Sequence, residues 1–453
     1  MTTQICNDSV PQSISNILVV GSWAKEQIII ENLQRNPDLN VYAYMDIHNP
    51  GIMPLVKAYG IGSLYDIPRI VDYAKEKNVD LVLVTTAAPL ANGIVNALVL
   101  AGIPVFGPDA TAARLESDKA FARNLMKEHG IGAIPPFAVF EDAAPAIDYA
   151  RDHNWQVAVK PTGLTQGLGV RVYGDQLKDS VDVTDYIRDV ISGSNGNGEK
   201  VLIEKQLHGV EFTLQCLVDG ETLVPTPAIQ DFKKRLPGEN GPNTASMGSY
   251  AEPDHLLPFL SRDQYDKALS IMQNTVTALA HSTDCVCRGF LYGQFMITAD
   301  GLMLIEYNFR PGDPEWMNTL CVFRGNLADV LVELMNGGEP TLDFEHQASV
   351  CKYLVPPKYP DNLNEVLDVA IPEEDLKKDG VGVYYSCGLD TNNKLNVGDE
   401  RGIALLTKDA SRDNAHKRIE AAIKQVSGDF HHREDIGSNN LIERKIREVA
   451  QWK

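Results

Sequence analysis

Short apolar runs alternate with amphipathic stretches through the first quarter of the chain. Runs typical of buried strands cover residues 16–20, 41–45, 81–85 and 104–106. Helical spacing covers residues 67–77 and 90–101, and a further helix opens within 21–27. Strands separated by helices of this length predict a parallel, doubly wound sheet. Ligands bind such sheets at the carboxyl ends of the strands, so segments 21–27 and 85–90 are expected to face one crevice.

The middle of the chain predicts an α+β unit with a phosphate-binding loop. Residues 111–129 form a predicted helix that contains Lys119, and a strand over 157–160 ends on Lys160. Glycines at 163, 167 and 169 follow. Such a loop can present backbone N–H groups to phosphates, although a plain hairpin is the alternative. After the next strand, 201–204, the carboxylates at 204 and 211 either serve adenine and ribose or face solvent.

Residues 301–308 read as an apolar strand that ends in polar groups. Period-two alternation predicts Leu302, Leu304, Glu306 and Asn308 on one face. Glu306 and Asn308 would then lie about 6 to 7 Å apart, which suits two oxygen ligands of Mg²⁺. Arg310 follows in a proline- and glycine-containing turn, where its guanidinium can bind a carboxylate or phosphate. The alternative is a solvated edge strand and a surface turn.

The remaining pattern completes a four-part organisation. Helices are predicted over 264–283 and 327–335, the second ended by Asn336 and two glycines. Strands near 350–355, 381–387 and 402–407 precede a charged helix over 411–425. The predicted units are a polar extension (1–14), a doubly wound domain (15–114), a central domain (115–338) with a mobile lid (134–207), and a small α+β domain (339–453).

Composition narrows the function classes. The chain has 453 residues and a formal charge of −20, which argues against binding nucleic acid backbones. Seven scattered cysteines favour reduced thiols in a cytoplasmic protein, and neither a signal peptide nor a membrane-length apolar run is present. No membrane partner is therefore expected, and the protein should be a monomer or homodimer. His431 and His432 favour a hydrated loop over a metal site.

Several motifs in order resemble phosphoribosylamine–glycine ligases of the ATP-grasp superfamily. They are Phe-Gly-Pro (106–108), Leu-Glu-Ser-Asp-Lys-Ala-Phe (115–121), Ala-Val-Lys with its glycine loop (158–169), Ile-Glu-Lys-Gln-Leu-His-Gly-Val-Glu (203–211), Gln-Asp-Phe-Lys-Lys-Arg (230–235), Gly-Pro-Asn-Thr-Ala-Ser-Met-Gly-Ser-Tyr (241–250), Gly-Phe-Leu-Tyr (289–292), Ile-Glu-Tyr-Asn-Phe-Arg-Pro-Gly-Asp-Pro-Glu (305–315) and Phe-His-His-Arg-Glu-Asp-Ile-Gly (430–437). The resemblance covers nearly the whole chain after residue 15. It implies a doubly wound domain before an ATP-grasp fold.

The resemblance also implies chemistry and roles for individual residues. A substrate carboxylate would attack the γ-phosphate of ATP, and an amine would then displace phosphate from the acyl phosphate to form an amide. Mg²⁺ or Mn²⁺ would be held by Glu306 and Asn308, with Gln294 as a third, weak ligand. Arg310 would bind the carboxylate, and Asp231 the ammonium, of glycine or a similar small acid. The implied ATP-binding residues are Lys119, Lys160, Gly163, Gly167, Gly169, Glu204, Leu207 and Glu211. The implied substrate-binding residues are Gly21, Lys25, Pro89, Asn243, Thr244, Met247, Gly248 and Asp313.

The chain departs from the family pattern mainly in the acceptor motifs. Trp23 and Ala24 stand where glycines are usual, and Gln27 stands where a histidine is usual. A Gly-Pro-Glu motif becomes Thr-Thr-Ala (85–87), and two glycines before Met247 become Ala-Ser (245–246). Leu168 replaces a loop lysine. Three hypotheses stay open: the ligase of purine biosynthesis, a paralogue that joins a different amine and carboxylate, and a nucleotide-binding protein without catalysis.

Overall fold

A parallel sheet forms the first domain of the computed structural model, which describes residues 10–164, 169–193, 200–361, 366–392, 394–398 and 401–452. The strand order is β3-β2-β1-β4-β5, with every neighbouring pair parallel, so the predicted doubly wound sheet is confirmed. The elements are β1 (Asn16–Val20), α1 (Ala24–Leu33), β2 (Asn40–Met45), β3 (Ala58–Ile61), α2 (Ile67–Glu76), β4 (Leu81–Val84), α3 (Ala87–Ala91), α4 (Ile94–Leu100) and β5 (Val105–Phe106).

Two predictions in this domain need correction. The sequence pattern missed β3, whose alternating half-buried and exposed residues mark it as an edge strand. The single helix predicted over 90–101 is divided between α3 and α4. The chain turns at Gly93, whose φ of +83° lies in the left-handed region that favours glycine. The helix predicted over 111–129 is likewise two: α5 (Arg114–Ser117) and α6 (Lys119–Glu128). The side chain of Asp118 caps α6 by accepting a hydrogen bond from the Phe121 amide at 3.0 Å.

The predicted lid segment has its own sheet and its own hydrophobic core. Its elements are β6 (Phe137–Phe140), α7 (Ala143–Asp152), β7 (Val157–Pro161), β8 (Arg171–Val172), α8 (Ser180–Ile191) and β9 (Val201–Lys205). The strands pair antiparallel in the order β6-β9-β7-β8. We call residues 134–207 the lid.

A four-stranded antiparallel sheet follows in the order β11-β10-β16-β17. It comprises β10 (Gly209–Asp219), β11 (Thr222–Pro225), β16 (Arg288–Thr298) and β17 (Gly301–Asn308). Between β11 and β16 the chain forms β12 (Gln230–Asp231), β13 (Lys234–Leu236), β14 (Asn240–Asn243), β15 (Gly248–Ala251) and the long helix α9 (Arg262–Ser282). After β17 come α10 (Glu315–Val322) and α11 (Leu327–Met335), the latter with the bounds that the sequence predicted.

A β-bulge corrects the predicted faces of β17. Gln294 pairs with Glu306, but the next residue, Phe295, pairs with Leu304, so Ile305 is extra. Leu302 and Leu304 therefore face the apolar side with Tyr307, whose hydroxyl meets Thr275 of α9 at 2.8 Å. Glu306 and Asn308 share the opposite face. The prediction that all four residues share one face was wrong because strict alternation cannot reveal an inserted residue.

The last sheet joins the final segment to the central one. Its order is β12-β15-β18-β23-β20, so two strands come from residues before 338. The elements here are β18 (Ala348–Leu354), β19 (Val369–Ala370), α12 (Glu373–Lys378), β20 (Val381–Ser386), β21 (Gly388–Leu389), β22 (Leu395–Asn396), β23 (Gly402–Asp409), α13 (Arg412–Ile423), β24 (Ser427–Gly428) and α14 (Asn439–Ala450). We call residues 339–453 the C-terminal region.

The first domain docks on β20 through α1. The Gln27 amide donates to the Val383 carbonyl at 3.0 Å and accepts from the Tyr385 amide at 3.0 Å. The Ala24 amide donates to Ser386 Oγ at 3.2 Å. These contacts hold the amino-terminal half of α1, which follows the carboxyl end of β1, against β20. No helix in the described part of the chain is both long and apolar enough to span a bilayer.

Candidate active site

Polar side chains cover the face of the central sheet that lies opposite α9. The strand register puts Glu211 and Gln215 of β10, Tyr292 and Gln294 of β16, and Glu306 and Asn308 of β17 on this face. The other face carries apolar residues that pack under α9. One antiparallel sheet thus divides a hydrophobic core from a polar surface that can hold charged ligands.

Gln294 joins two acidic side chains on this face. Its fully buried amide nitrogen donates to Glu211 Oε2 at 2.7 Å and to Asp231 Oδ1 at 3.2 Å, and its oxygen accepts from the Tyr292 hydroxyl. A glutamine oriented this way offers the carboxylates a donor. Since the amide oxygen faces Tyr292, we leave Gln294 out of the metal ligands that we propose.

The pKa of Asp231 lies well above its ordinary value. Burial raises its pKa to about 6, the nearby Lys233 opposes the rise, and the charge of Glu315 adds to it. Burial also raises the pKa of Glu211 against the effect of Lys233. Titratable groups with such pKa shifts are concentrated at active sites, because the same burial and charge that perturb them serve chemistry.

Lys233 is a site residue that the sequence analysis missed. Its Nζ lies 3.9 Å from Glu211 Oε2. Burial alone would lower the pKa of Lys233, but Asp231, Glu211 and Glu306 together raise it, so the lysine stays charged. Its position in the Lys-Lys-Arg run (233–235), two residues after Asp231, was the available signal, but the run does not reveal which lysine lies beside the carboxylates of the site.

Strand β17 ends beside Arg310 and a further acid, Glu116. Arg310 Nη2 lies 3.3 Å from Asn308 Oδ1, and its Nε lies 3.3 Å from Glu116 Oε1. The other oxygen of Glu116 accepts from the Phe309 amide at 2.9 Å. Burial raises the pKa of Glu116, and Arg310 opposes that rise. Glu116 was not among the predicted site residues, although it lies in the motif at 115–121.

The strand end offers oxygen donors of the kind that Mg²⁺ prefers. Burial would raise the pKa of Glu306, but Lys233, Lys160 and Lys119 together lower it, so this carboxylate stays ionised. Among the described residues no three His, Cys, Asp or Glu side chains form a group that could hold a metal. One carboxylate and one amide oxygen beside several lysines fit an ion that is also held by phosphate oxygens.

A buried ion triad lies where the lid meets the central sheet. Arg123 Nε lies 2.5 Å from Glu204 Oε1, and Lys160 Nζ lies 2.6 Å from Glu204 Oε2. Burial would raise the pKa of Glu204, but these two cations lower it to about 2. Both oxygens of Glu204 are therefore occupied by cations. The two ion pairs of Glu204 therefore hold Lys160 and Arg123 in place, and its predicted contact with adenine or ribose stays a prediction.

The other predicted nucleotide residues have local contacts of their own. Lys119 Nζ donates to the Gly163 carbonyl at 2.7 Å, and burial lowers the pKa of Lys119. The Gly169 carbonyl accepts from the Tyr186 hydroxyl at 2.6 Å. Leu207 is half-buried just before β10. Gly167 and Leu168 lie outside the described residues.

The crevice predicted after β1 and β4 contains a buried acid. Glu26 accepts from Thr85 Oγ1 at 2.6 Å and from the Trp23 amide at 2.8 Å, and Lys25 Nζ lies 3.5 Å from it. Burial raises the pKa of Glu26, with Lys25 opposing. Gly21 lies against this acid: a Cβ there would meet the Glu26 side chain at 2.8 Å. Pro89 is buried in α3 at the same edge of the sheet.

Asp313 forms the opposite wall with the C-terminal region. Its Oδ1 accepts from Tyr353 Oη at 2.5 Å and lies 2.9 Å from Arg401 Nη2. Within the described residues, Oδ2 of Asp313 is buried and accepts no hydrogen bond. The negative charge of Asp313 also contributes to the raised pKa of Glu26. The predicted acceptor residues of the first domain and of the 313 turn therefore lie close together.

The predicted residues between 243 and 248 divide into two kinds. Asn243 is half-buried at the end of β14, and Thr244 Oγ1 donates to the Lys233 carbonyl at 2.7 Å. Met247 is fully buried, and a Cβ on Gly248 would meet the Cys351 carbonyl at 2.3 Å. The last two residues support the backbone. Ser246, where the family has glycine, has a φ of +97° and donates to the Gly248 carbonyl at 3.1 Å.

Comparisons with known proteins identify the family of the chain. The model of the phosphoribosylglycinamide synthetase N domain matches residues 15–116, and that of its ATP-grasp (A) domain matches residues 117–316. The phosphoribosylamine–glycine ligase of Methanopyrus kandleri is 40% identical over 442 residues, which cover 96% of this chain and 98% of that protein. That of Methanoregula boonei is also 40% identical, over 96% and 99%.

The chain belongs to the phosphoribosylglycinamide synthetase family. Members of this family are ATP-grasp ligases that form a carbon–nitrogen bond in purine biosynthesis. The crystal structure of the Thermotoga maritima phosphoribosylamine–glycine ligase shares the fold, with a TM-score of 0.76 and 22% identity over 93% of this chain and 100% of that chain. A biotin carboxylase from Campylobacter jejuni, with 14% identity, has a TM-score of 0.74 over 97% and 99%.

The departures from the family pattern occupy two different settings. Gln27 lies in the interface with β20, where its amide satisfies two buried backbone groups. Trp23 is half-buried at the carboxyl end of β1, beside Glu26. The histidine position of the family motif is thus structural here, whereas the glycine position replaced by Trp23 borders the crevice.

Proposed function

We propose that the protein joins glycine to phosphoribosylamine, using ATP and Mg²⁺. The observation that carries this proposal is the convergence on one polar face of the Arg310 guanidinium, the perturbed acid Asp231 and the ionised Glu306. The reaction would give glycinamide ribonucleotide, ADP and phosphate. Family membership supports the reaction class.

Two lysines and the polar end of β17 would bind the nucleotide and its metal ion. Lys119 and Lys160 would neutralise phosphate oxygens, and Leu207 would contact the adenosine. Glu306 and Asn308 would hold Mg²⁺, which supplies charge neutralisation during phosphoryl transfer when bound. Glu204 would act indirectly: its ion pairs with Arg123 and Lys160 would hold Lys160 in position for the phosphates.

The carboxylate substrate would lie between Arg310 and Asp231. Arg310 would hold the carboxylate and Asp231 the ammonium group, and this pair of opposite charges matches a small amino acid such as glycine. A carboxylate oxygen would attack the γ-phosphorus, and the bond to the ADP oxygen would break. The resulting acyl phosphate carries two negative charges near Arg310 and Lys233.

The amine would enter between β1, β4 and the 313 turn. Lys25 provides a cation for a ribosyl phosphate, and the unsatisfied Oδ2 of Asp313 provides an acceptor for an amine or hydroxyl group. The amine nitrogen would attack the acyl carbon, and phosphate would leave. Trp23 at this crevice favours one second candidate, a ligase that uses a different amine and the same activation chemistry.

The direct test is ADP release by the purified protein with MgATP and glycine, with and without phosphoribosylamine generated in place. Mass spectrometry identifies the product. We expect ADP and glycinamide ribonucleotide in equal amounts, and loss of both in Glu306→Gln. ADP release with another amine but without glycinamide ribonucleotide would support the second candidate. No ADP with any pair would contradict both.

A further inference from the structure

The motif at 430–437 has no role in the proposed reaction, yet its arginine is completely buried. The Arg433 side chain has 0% exposure. Its Nε lies 2.7 Å from Asp435 Oδ1, its Nη2 lies 2.5 Å from Glu239 Oε1, and its Nη1 donates to the Lys234 carbonyl at 3.0 Å. A buried guanidinium with this many partners fixes the groups around it, since each contact has a set direction.

Two of these partners, Lys234 and Glu239, belong to one small hairpin, β13 and β14, which spans 234–243. The guanidinium also lies 4.9 Å from the ring of Phe232, the residue between β12 and Lys233. Two neighbours of Arg433 hold the same hairpin. Asp435 Oδ2 accepts from the Gly238 amide at 2.9 Å, and the His431 ring is 3.2 Å from the Arg235 carbonyl. Side chains of the loop at 431–435 therefore bind backbone groups along one side of the hairpin.

The opposite side of the hairpin faces the active site and the lid. Lys233 immediately precedes it, and its Nζ lies 3.9 Å from Glu211 Oε2. The Lys233 carbonyl accepts from both the amide and the hydroxyl of Thr244. Lys234 Nζ lies 2.5 Å from Asp175 Oδ2, which belongs to the lid. A shift of this hairpin would move Lys233 and the lid contact together.

We propose that Arg433 is a positioning residue for the ligase reaction. It holds the hairpin so that Lys233 faces the carboxylates of the site while Lys234 meets the lid. The inference rests on the proposed function, because Lys233 matters only if an anionic intermediate forms beside it. Small displacements of an aligned group slow a reaction strongly, so the effect should appear in turnover as well as in folding.

The first test compares two arginine-to-lysine variants. Arg433→Lys keeps the positive charge but removes the guanidinium, so one amine replaces three nitrogens that each have a partner. The matched control is Arg288→Lys, because Arg288 is also buried and forms a similar two-point pair with Asp219, at 2.8 and 3.2 Å, at the far end of β10 and β16. We expect Arg433→Lys to lower kcat/KM for glycine at least 30-fold while KM for MgATP changes less than about 3-fold. Arg288→Lys should lower the unfolding midpoint and leave both kinetic constants within about 3-fold.

The second test asks whether Arg433 acts through Lys233. Lys233→Arg keeps a cation and measurable turnover. If the two residues act in one unit, adding Arg433→Lys to Lys233→Arg should lower kcat/KM for glycine less than about 3-fold further. A fully additive loss in the double variant would contradict the proposal, as would equal kinetic losses in Arg433→Lys and Arg288→Lys.

A milder variant covers the case in which Arg433→Lys does not fold. Glu239→Gln removes one charged partner from the partly exposed edge of the hairpin. It should lower kcat/KM for glycine about 5-fold at an unchanged unfolding midpoint, and unchanged kinetics in this folded variant would contradict the proposal. Absence of glycinamide ribonucleotide with the unaltered protein would instead contradict the proposed function, so the two failures are distinguishable.

Discussion

Two buried carboxylates of this site have pKa shifts in opposite directions. Direct contact with two cations, Arg123 and Lys160, lowers the pKa of Glu204 to about 2 in spite of burial. Asp231 is held by an amide donor and faces a lysine only at longer range, so burial prevails and its pKa is raised to about 6. Glu204 therefore keeps its charge at any ordinary pH, whereas Asp231 changes protonation close to neutrality.

The raised pKa of Asp231 predicts a pH-dependent use of the amino acid. Only ionised Asp231 can hold the ammonium group of glycine, so kcat/KM for glycine should rise tenfold per pH unit below about pH 6 and level off above it. Lys233→Met removes the opposing cation and should move this limb to higher pH. The check is a profile from pH 5 to 8 for both proteins. A flat profile, or a limb that Lys233→Met leaves in place, would argue against this role for Asp231.

At the scale of elements, the Arg123–Glu204–Lys160 triad joins α6, β9 and β7. Arg123 also donates to the Ile305 carbonyl, at the bulge of β17. The Arg123 side chain thus links α6, which contains Lys119, to the lid and to β17. A bulge leaves backbone groups without a partner in the strand ladder. Arg123 supplies a hydrogen bond to one such group, the Ile305 carbonyl, next to Glu306.

The ion pairs of Glu204 predict that the folded protein loses stability at acid pH. The pKa of Glu204 is about 2 in the folded protein and 4.5 when unperturbed, so its contribution is complete above pH 4.5 and is lost as pH falls towards 2. The shift corresponds to roughly 3 kcal/mol. Urea unfolding midpoints of the unaltered protein and Glu204→Gln should differ most at pH 6, and the difference should shrink below pH 4.5 and vanish only as pH approaches 2. A pH-independent difference would contradict the assignment.

The sequence predicted most elements well but missed the contacts between them. Apolar runs located β1, β4 and β17, since burial on both faces or one face leaves a local pattern. The bulge at Ile305 escaped because it depends on how β17 pairs with β16. Lys233, Glu116 and Arg123 escaped for a related reason: their roles arise from partners that are distant in sequence, such as Glu204 for Arg123. The grouping of Glu306, Asn308 and Arg310 at the end of β17 was predictable because these residues are neighbours in the chain.

At the scale of the molecule, the site is built from three parts of the chain. The first domain supplies Lys25 and Glu26, the central domain supplies the polar sheet, and the C-terminal region supplies Tyr353 and Arg401 around Asp313. Because β12 and β15 belong to the sheet of the C-terminal region, that region directly supports Asp231. The domain interfaces are therefore part of the active-site architecture.

The docking of α1 on β20 gives a prediction at this scale. Gln27→Leu would leave the Val383 carbonyl and the Tyr385 amide buried without partners, so we expect a loss of about 3 kcal/mol in stability. Gln34→Leu is the matched control: Gln34 directly follows the same helix, and its amide donates to the Leu55 carbonyl at an exposed position where water can replace it, so stability should change by less than about 0.5 kcal/mol. Urea unfolding of both variants checks this. Equal midpoints would show that the interface does not depend on Gln27.

The central claim is that a carboxylate is activated by phosphoryl transfer at the end of β17. Glycine labelled with ¹⁸O in both carboxylate oxygens tests it most directly, with mass spectrometry of the phosphate released during turnover with MgATP and phosphoribosylamine. Because the attacking oxygen leaves with the phosphoryl group, we predict one ¹⁸O atom in each phosphate released and one in each amide product. Unlabelled phosphate, with the second ¹⁸O recovered in AMP or in water, would contradict the claim.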